Sequence, residues 1–217
     1  ESGIHGGVPA QGGDFGLAHN PQAIIEQTSQ FDFYDGGGLD ASFLGLAQTD
    51  AHGNVNVSKF NGRPVGCGGF VNITRATRKL VFCGTFTAGG LKVAVEGGQL
   101  QILNEGQVRK FIDQVEQITF NGSDAARREQ DVLFVTERAV FRLRADGLEL
   151  TEVAPGIDIE RDILAHMAFR PHMPNVRLMD ADIFKPRWGG LAAALHADAN
   201  PPTATAKATV AASGSPV

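Results

Sequence analysis

The middle of this chain carries its most constraining feature: a glycine cluster, Gly66-Cys67-Gly68-Gly69, a short helical segment from Phe70 to Ala76, and the apolar run Leu80-Val81-Phe82-Cys83-Gly84-Thr85-Phe86. Loop, helix and strand in that order make the repeating unit of α/β sheets. The first expectation is therefore an α/β fold, an open sheet with flanking helices. Additional strands follow. Leu91–Val95 and Gln99–Leu103 flank Gly97-Gly98, a hairpin signal. Val132–Val135, Val140–Leu143 and Leu148–Val153 read as successive strands, the last two joined by a turn at Ala145-Asp146-Gly147.

Upstream the pattern is less regular. Asn20-Pro21 reads as a cap and first turn, with Ala23, Ile24 and Ile25 forming a short helix before Thr28. Leu39–Ala47, after the Gly36-Gly37-Gly38 turn, reads as a buried strand. Asn54–Phe60 reads as a second strand after the turn at His52-Gly53-Asn54. Asp158–Met167 reads as a helix, acidic at its start and with Ile159, Ile163 and Leu164 on one face. From about Gly189 the chain is rich in Ala, Thr, Pro and Ser, so residues 1–188 are expected to form the folded domain and residues 189–217 a flexible tail.

Composition narrows the function classes. A chain of 217 residues, 42% hydrophobic and 20% charged, can bury one substantial core, or one core with a small appendage. A net charge of -5 with mixed signs supplies no broad positive field, which argues against a nucleic-acid partner. No apolar run approaches the roughly 20 residues that cross a bilayer, so no membrane partner is expected. Two cysteines, Cys67 and Cys83, fit reduced thiols better than a disulfide framework, and the expected compartment is the cytoplasm.

Three segments invite a chemical reading. Glu1 sits before Ser2-Gly3 and close to Gly6-Gly7-Val8-Pro9, surroundings that let backbone and substrate approach a carboxylate closely, although an isolated glutamate is usually a solvated charge. The cluster Gly66-Cys67-Gly68-Gly69-Phe70 lacks the lysine and hydroxyl of a P-loop. Two readings of it stay open: a tight turn into a helix, or an oxyanion site made of backbone N–H groups. Asp35 and Asp40 flank a glycine turn, where capping aspartates are common, and no ligand cluster accompanies them.

The order of segments carries more than any one of them. Glu1-Ser2-Gly3 with Gly6–Ala10, Gln30–Asp40, Leu44–Ala47, Gly53–Ser58 and Gly66–Ile73, in that succession, resembles the C-terminal domain of class I coenzyme A-transferases of the acetate/propionate/acetoacetate type. The resemblance covers most of residues 1–185 and is most specific over the first 90 or so. It implies an enzyme that moves CoA from a short-chain acyl-CoA to a carboxylate by ping-pong chemistry, with Glu1 as the nucleophile that becomes a glutamyl-CoA thioester. It implies Gly66, Gly68 and Gly69 as the oxyanion and CoA-binding loop, with Gly68 and Gly69 the foremost candidates. It implies no metal and no cofactor, CoA being a substrate. Its partners would be an N-terminal CoA-transferase half, as an upstream segment or a separate chain, and further copies in a homo-oligomer, tetramers included. An acyl-CoA hydrolase, and a noncatalytic CoA-binding or assembly module, are the alternatives.

The start at Glu1, inside a glycine-dense segment, leads to the expectation that sequence precedes it in the gene. Two origins stay open: cyclisation of an activated Glu1 to a pyroglutamyl residue with loss of the preceding chain, or a boundary between two chains.

Overall fold

The computed structural model describes residues 2–14 and 16–185, so the expected tail beyond 189 lies outside the described residues. The elements that position the site are α1 (Gln27–Asp35), β1 (Ala41–Gly45), α2 (Phe70–Ala76), β2 (Lys79–Cys83), β3 (Lys92–Glu96), β4 (Gln99–Asn104), α3 (Gly122–Arg127), β5 (Asp131–Val135), β6 (Ala139–Arg144), β7 (Gly147–Val153) and β8 (Arg177–Leu178). Six strands form one mixed sheet in the order β8-β7-β6-β5-β2-β1. β1, β2 and β5 run parallel, with Phe82 of β2 beside Leu44 on one side and Phe134 on the other. β5, β6 and β7 form an antiparallel meander, and β8 returns parallel to β7. Crossovers through α2 and α3 join the parallel strands, as parallel pairing requires. The sheet is thus the expected α/β sheet with flanking helices, and β3 and β4 form the expected separate hairpin around Gly97-Gly98.

Period-2 burial explains the meander. Val132 and Phe134 of β5, Phe141 and Leu143 of β6, and Leu148 and Leu150 of β7 are buried, and their neighbours other than Gly147 are less so. Phenylalanine fills the space beneath this face: the Phe82 ring lies 5.1 Å from Phe120, 5.2 Å from Phe134 and 5.7 Å from Phe70. A second group stacks Phe86 on Phe111 at 4.7 Å and Phe111 against Phe141 at 4.9 Å.

Arg138, between β5 and β6, is fully buried, its guanidinium 4.9 Å from the Phe86 ring. It donates to Glu137 (2.7 Å), to both carboxylate oxygens of Glu105 (2.6 and 3.2 Å) and to the Asp162 carbonyl (3.0 Å). One cation therefore ties the end of the β3–β4 hairpin, the turn after β5 and the segment after β7 together. A buried charge is tolerable only when its donors are satisfied in this way.

Four local expectations are revised. Ala23–Ile24 is not helical but pairs antiparallel with Ile4–His5, because Gln22 N–H donates to His5 O and Ile25 N–H to Gly3 O. The helix comes later, as α1, and ends where Gly36 and Gly38 return their N–H groups to Asp32 O and Phe33 O. Asn54–Phe60 is not one strand: the buried Asn56 side chain accepts from Ser58 N–H (3.0 Å) and Lys59 N–H (3.1 Å), which turns the chain between two short ladders. Asp158–Met167 winds as a wide turn over Ile159–Ile163 and a tight one over Leu164–His166 instead of a regular helix. Arg138 occupies the Asp162 carbonyl that a continuing helix would use.

The strand after the glycine turn is found at Ala41–Gly45, but at the edge of the sheet and not buried within it. Ser42 is buried, whereas Phe43 at its centre is 74% exposed.

Candidate active site

The glycine cluster is held from both ends. On its N-terminal side Val65 and Gly66 donate N–H bonds to Ser58 O at 2.8 and 3.3 Å. The preceding turn is fixed by Glu116, whose carboxylate accepts from Asn61 N–H and Gly62 N–H at 3.1 Å each. Those bonds, led by the one from Gly62, hold the Glu116 carboxyl below its ordinary pKa. On the C-terminal side Phe70 N–H donates to Cys67 O (3.1 Å), and the Phe70 ring is buried against Phe82 of β2. Gly68 between them has φ +52°, a left-handed conformation that a Cβ would strain. Gly69 then opens α2, its carbonyl accepting from Ile73 N–H at 3.0 Å.

Gly68 and Gly69 face α1 across a cleft of about 370 Å³, whose other walls are Gln27, Thr28, Phe31, Asp32 and Asn72. Asn72 of α2 donates to Asp35 of α1 at 2.9 Å and fixes the spacing of the two helices. Gly66 does not line this cleft.

The segment that follows Glu1 is anchored to the chain that enters α1. Gly3, at φ +83°, lies so close to that chain that a Cβ would sit 2.2 Å from Ile25 O. Ser2 Oγ donates to Gly16 O at 2.7 Å. Glu1 itself lies outside the described residues. The sequence-nominated glycines Gly68 and Gly69 thus share one cleft with the first half of α1, and the arm beginning at Ser2 is bound to the chain that leads into that helix.

Two groups carry no sequence signal and were missed. Lys110, which reads as a surface charge beside Arg109, extends Nζ to Leu46 O at 3.0 Å, at the carboxyl ends of β1 and β2. Burial pushes its pKa down, against the pull of Glu137. Open α/β sheets bind ligands outside the carboxyl ends of their parallel strands, so this ammonium is placed where a ligand charge would be met. Glu105 is the other. Although partial burial opposes its charged form, hydrogen bonds from Arg138, Thr87 and Gly106 N–H hold its carboxyl below the usual value.

Among the described residues no group of three or more His, Cys, Asp or Glu side chains is arranged to hold a metal ion, and no helix is long and apolar enough to cross a membrane. Cys67 and Cys83 are both exposed and unpaired by disulfide. Burial nevertheless raises the Cys83 thiol above its ordinary pKa.

No protein-family model matches the chain. Individual relatives do. It is 51% identical over 185 residues to the acetate CoA-transferase YdiF of Escherichia coli K12, an alignment that covers 85% of this chain and 35% of that protein. The chain belongs to the class I coenzyme A-transferases. It is also 46% identical over 197 residues to the caffeate CoA-transferase of Acetobacterium woodii, covering 88% of this chain and 37% of that one. The solved acyl-CoA transferase YdiF of Escherichia coli O157:H7, in a thioester complex with CoA, superposes with a TM-score of 0.78 at 48% identity, covering 86% of this chain and 35% of that one. This CoA-transferase segment therefore spans about a third of the length of the curated relatives it matches.

Proposed function

We propose that the protein of which this CoA-transferase segment forms part moves coenzyme A from a short-chain acyl-CoA to a carboxylic acid, and that this segment is its C-terminal, nucleophile-bearing half. The Glu1 carboxylate attacks the thioester carbonyl, forming a mixed anhydride and releasing CoA thiolate. The thiolate then attacks the Glu1 acyl carbon, releasing the first acid and leaving a glutamyl-CoA thioester. An acceptor carboxylate runs the same two steps in reverse. Backbone N–H groups at Gly68 and Gly69 stabilise the oxyanion of each tetrahedral intermediate.

The observation that carries this reading is the cleft shared by Gly68, Gly69 and the first half of α1, with the Ser2–His5 arm bound to the chain entering that helix. A backbone-donor site and the chain next to Glu1 belong to one neighbourhood. The thioester complex with CoA solved for the YdiF relative, at 48% identity, supports the intermediate. The reaction exchanges one carboxylate for another, so it calls for a dry site and no cofactor or metal. Carboxylic acids and acyl-CoA are the small-molecule partners, and a homo-oligomer of paired halves in the cytoplasm is the assembly proposed.

The test is to mix the full-length protein with acyl-CoA, reduce with borohydride and map the modified peptide. Reduction at Glu1 is expected, and modification at another residue overturns the assignment. Acceptor-dependent release of a new acyl-CoA separates transfer from simple hydrolysis.

A further inference from the structure

Residues 61–68, which lead into the glycine cluster and make up most of it, are all exposed, so no buried side chain fixes them. Their order comes from hydrogen bonds, and the outermost of those bonds end on one carboxylate. Lys59–Phe60 and Arg63–Pro64 pair as a short antiparallel hairpin. Its two turn residues, Asn61 at φ +52° and Gly62 at φ +75°, are both left-handed, as a tight two-residue turn requires. Asn61 N–H donates to Glu116 Oε1 and Gly62 N–H to Glu116 Oε2, at 3.1 Å each.

Gln48 joins that tip to the base of the hairpin. Its Nε2 donates to Glu116 Oε1 at 3.3 Å, and its Oε1 accepts from Asn56 Nδ2 at 2.6 Å. Asn56 is fully buried and holds the base in turn: Oδ1 accepts from Ser58 N–H (3.0 Å) and Lys59 N–H (3.1 Å), and Nδ2 donates to Lys59 O (2.6 Å). Ser58 O then receives the N–H groups of Val65 and Gly66 at 2.8 and 3.3 Å, just ahead of Gly68. A hairpin pinned only at its base is free to pivot. One pinned at base and tip is not, and its second strand delivers the chain into the glycine cluster.

We propose that Glu116 is a positioning residue for the backbone donors at Gly68 and Gly69: by fixing the hairpin tip it sets where the loop that carries them stands. This role rests on the reading of those N–H groups as the oxyanion site. Glu116 does not line the cleft of Gly68 and Gly69 and acts through the hairpin. Remoteness is no bar, since a misplacement of about 1 Å at a catalytic group can cost on the order of 10²-fold in rate. A carboxylate suits the task because an ionised acceptor binds N–H donors more strongly than a neutral one. The bonds from Gly62 and Asn61 hold its pKa below the ordinary value, so it is ionised at neutral pH.

The experiment uses full-length protein, with acetyl-CoA as donor and propionate as acceptor. In Glu116→Ala, kcat and kcat/KM are expected to fall together by roughly 10 to 100-fold, as for an interaction realised in the transition state. Glu116→Gln should lose less, because its amide oxygen still accepts one N–H bond. Amide exchange at Asn61, Gly62, Val65 and Gly66 should quicken in Glu116→Ala, while the urea unfolding midpoint stays unchanged, as for an exposed substitution. Unchanged kcat, a loss confined to KM, a fall in stability that matches the fall in activity, or unaltered exchange at Val65 and Gly66 overturns the proposal. Gly68→Ala run alongside separates the two readings. A silent Glu116→Ala beside an impaired Gly68→Ala sinks the positioning role alone, whereas silence of both sinks the donor reading with it.

Discussion

Residues 2–45 and residues 46–185 are built on different terms. From Leu46 onward the chain supplies a continuous core of buried Phe, Leu and Val side chains, clamped by the buried Arg138. Before Leu46 no large apolar side chain among the described residues is buried, and Val8, Leu17, Ile24, Phe33 and Phe43 all stand exposed. Yet that first region holds α1, one wall of the cleft, and the arm that follows Glu1. The scaffold thus carries the buried core, whereas the margin that holds the cleft takes its order from backbone pairing and from glycine approach. The separation suits the proposed function: a site that closes over a substrate and excludes water gains from being assembled at a margin and not sealed inside the core.

If the division is real, changes on its two sides should have different readouts. The largest effect is expected from Glu1→Gln in the full-length protein. Turnover should fall by on the order of 10⁴ to 10⁶-fold, as for loss of a nucleophile, with the unfolding midpoint unchanged. Retained turnover, measured as acceptor-dependent acyl-CoA formation, breaks the comparison on the catalytic side. On the scaffold side, Arg138→Met leaves Glu105 and Glu137 without their buried counter-charge. It should cost about 3–5 kcal/mol of stability in urea unfolding, with little change in kcat for the protein that remains folded.

Gly68→Ala comes next. A Cβ at φ +52° forces the loop to shift, and displacement of one oxyanion donor should lower kcat by about 10²–10³-fold at nearly constant stability. An equal loss of stability and activity would place Gly68 in the scaffold instead. The smallest effect concerns acid. Glu105 has a folded pKa below its ordinary value of 4.5, so its contribution to stability is fully present above that pH and is lost as the pH falls through the folded value. Urea titrations between pH 6 and pH 3, an interval chosen to span roughly the carboxylate range, should reveal this loss, and it should shrink in Arg138→Met.

Much of the scaffold was legible from residues alone, because its determinants are local. Alternating Val132–Val135, Val140–Leu143 and Leu148–Val153 set the meander, Ala145-Asp146-Gly147 sets its second reversal, and Gly97-Gly98 sets the turn of the separate β3–β4 hairpin. The margin that holds the cleft was harder to read. The apolar residues of α1 do not form one stripe: Phe31 meets Tyr34 edge to face at 5.6 Å, while Phe33 tilts against Tyr34 at 6.3 Å and is 55% exposed, so periodicity gave no helix signal. Ala23–Ile24 took its conformation from Ile4–His5, a partner about twenty residues away that no local propensity registers.

By itself, then, the amino-acid order determined the family, the succession of strands in the meander and the glycines worth watching, since turn chemistry and period-2 burial act over a few neighbouring residues. The tertiary structure alone decided that β1 is the edge strand of the sheet among the described residues, that Gly68 and Gly69 meet α1, and that Arg138 gathers Glu105, Glu137 and the Asp162 carbonyl around one charge. Those arrangements bring together groups separated by tens of residues, and their energies depend on burial and distance, which only the folded chain specifies.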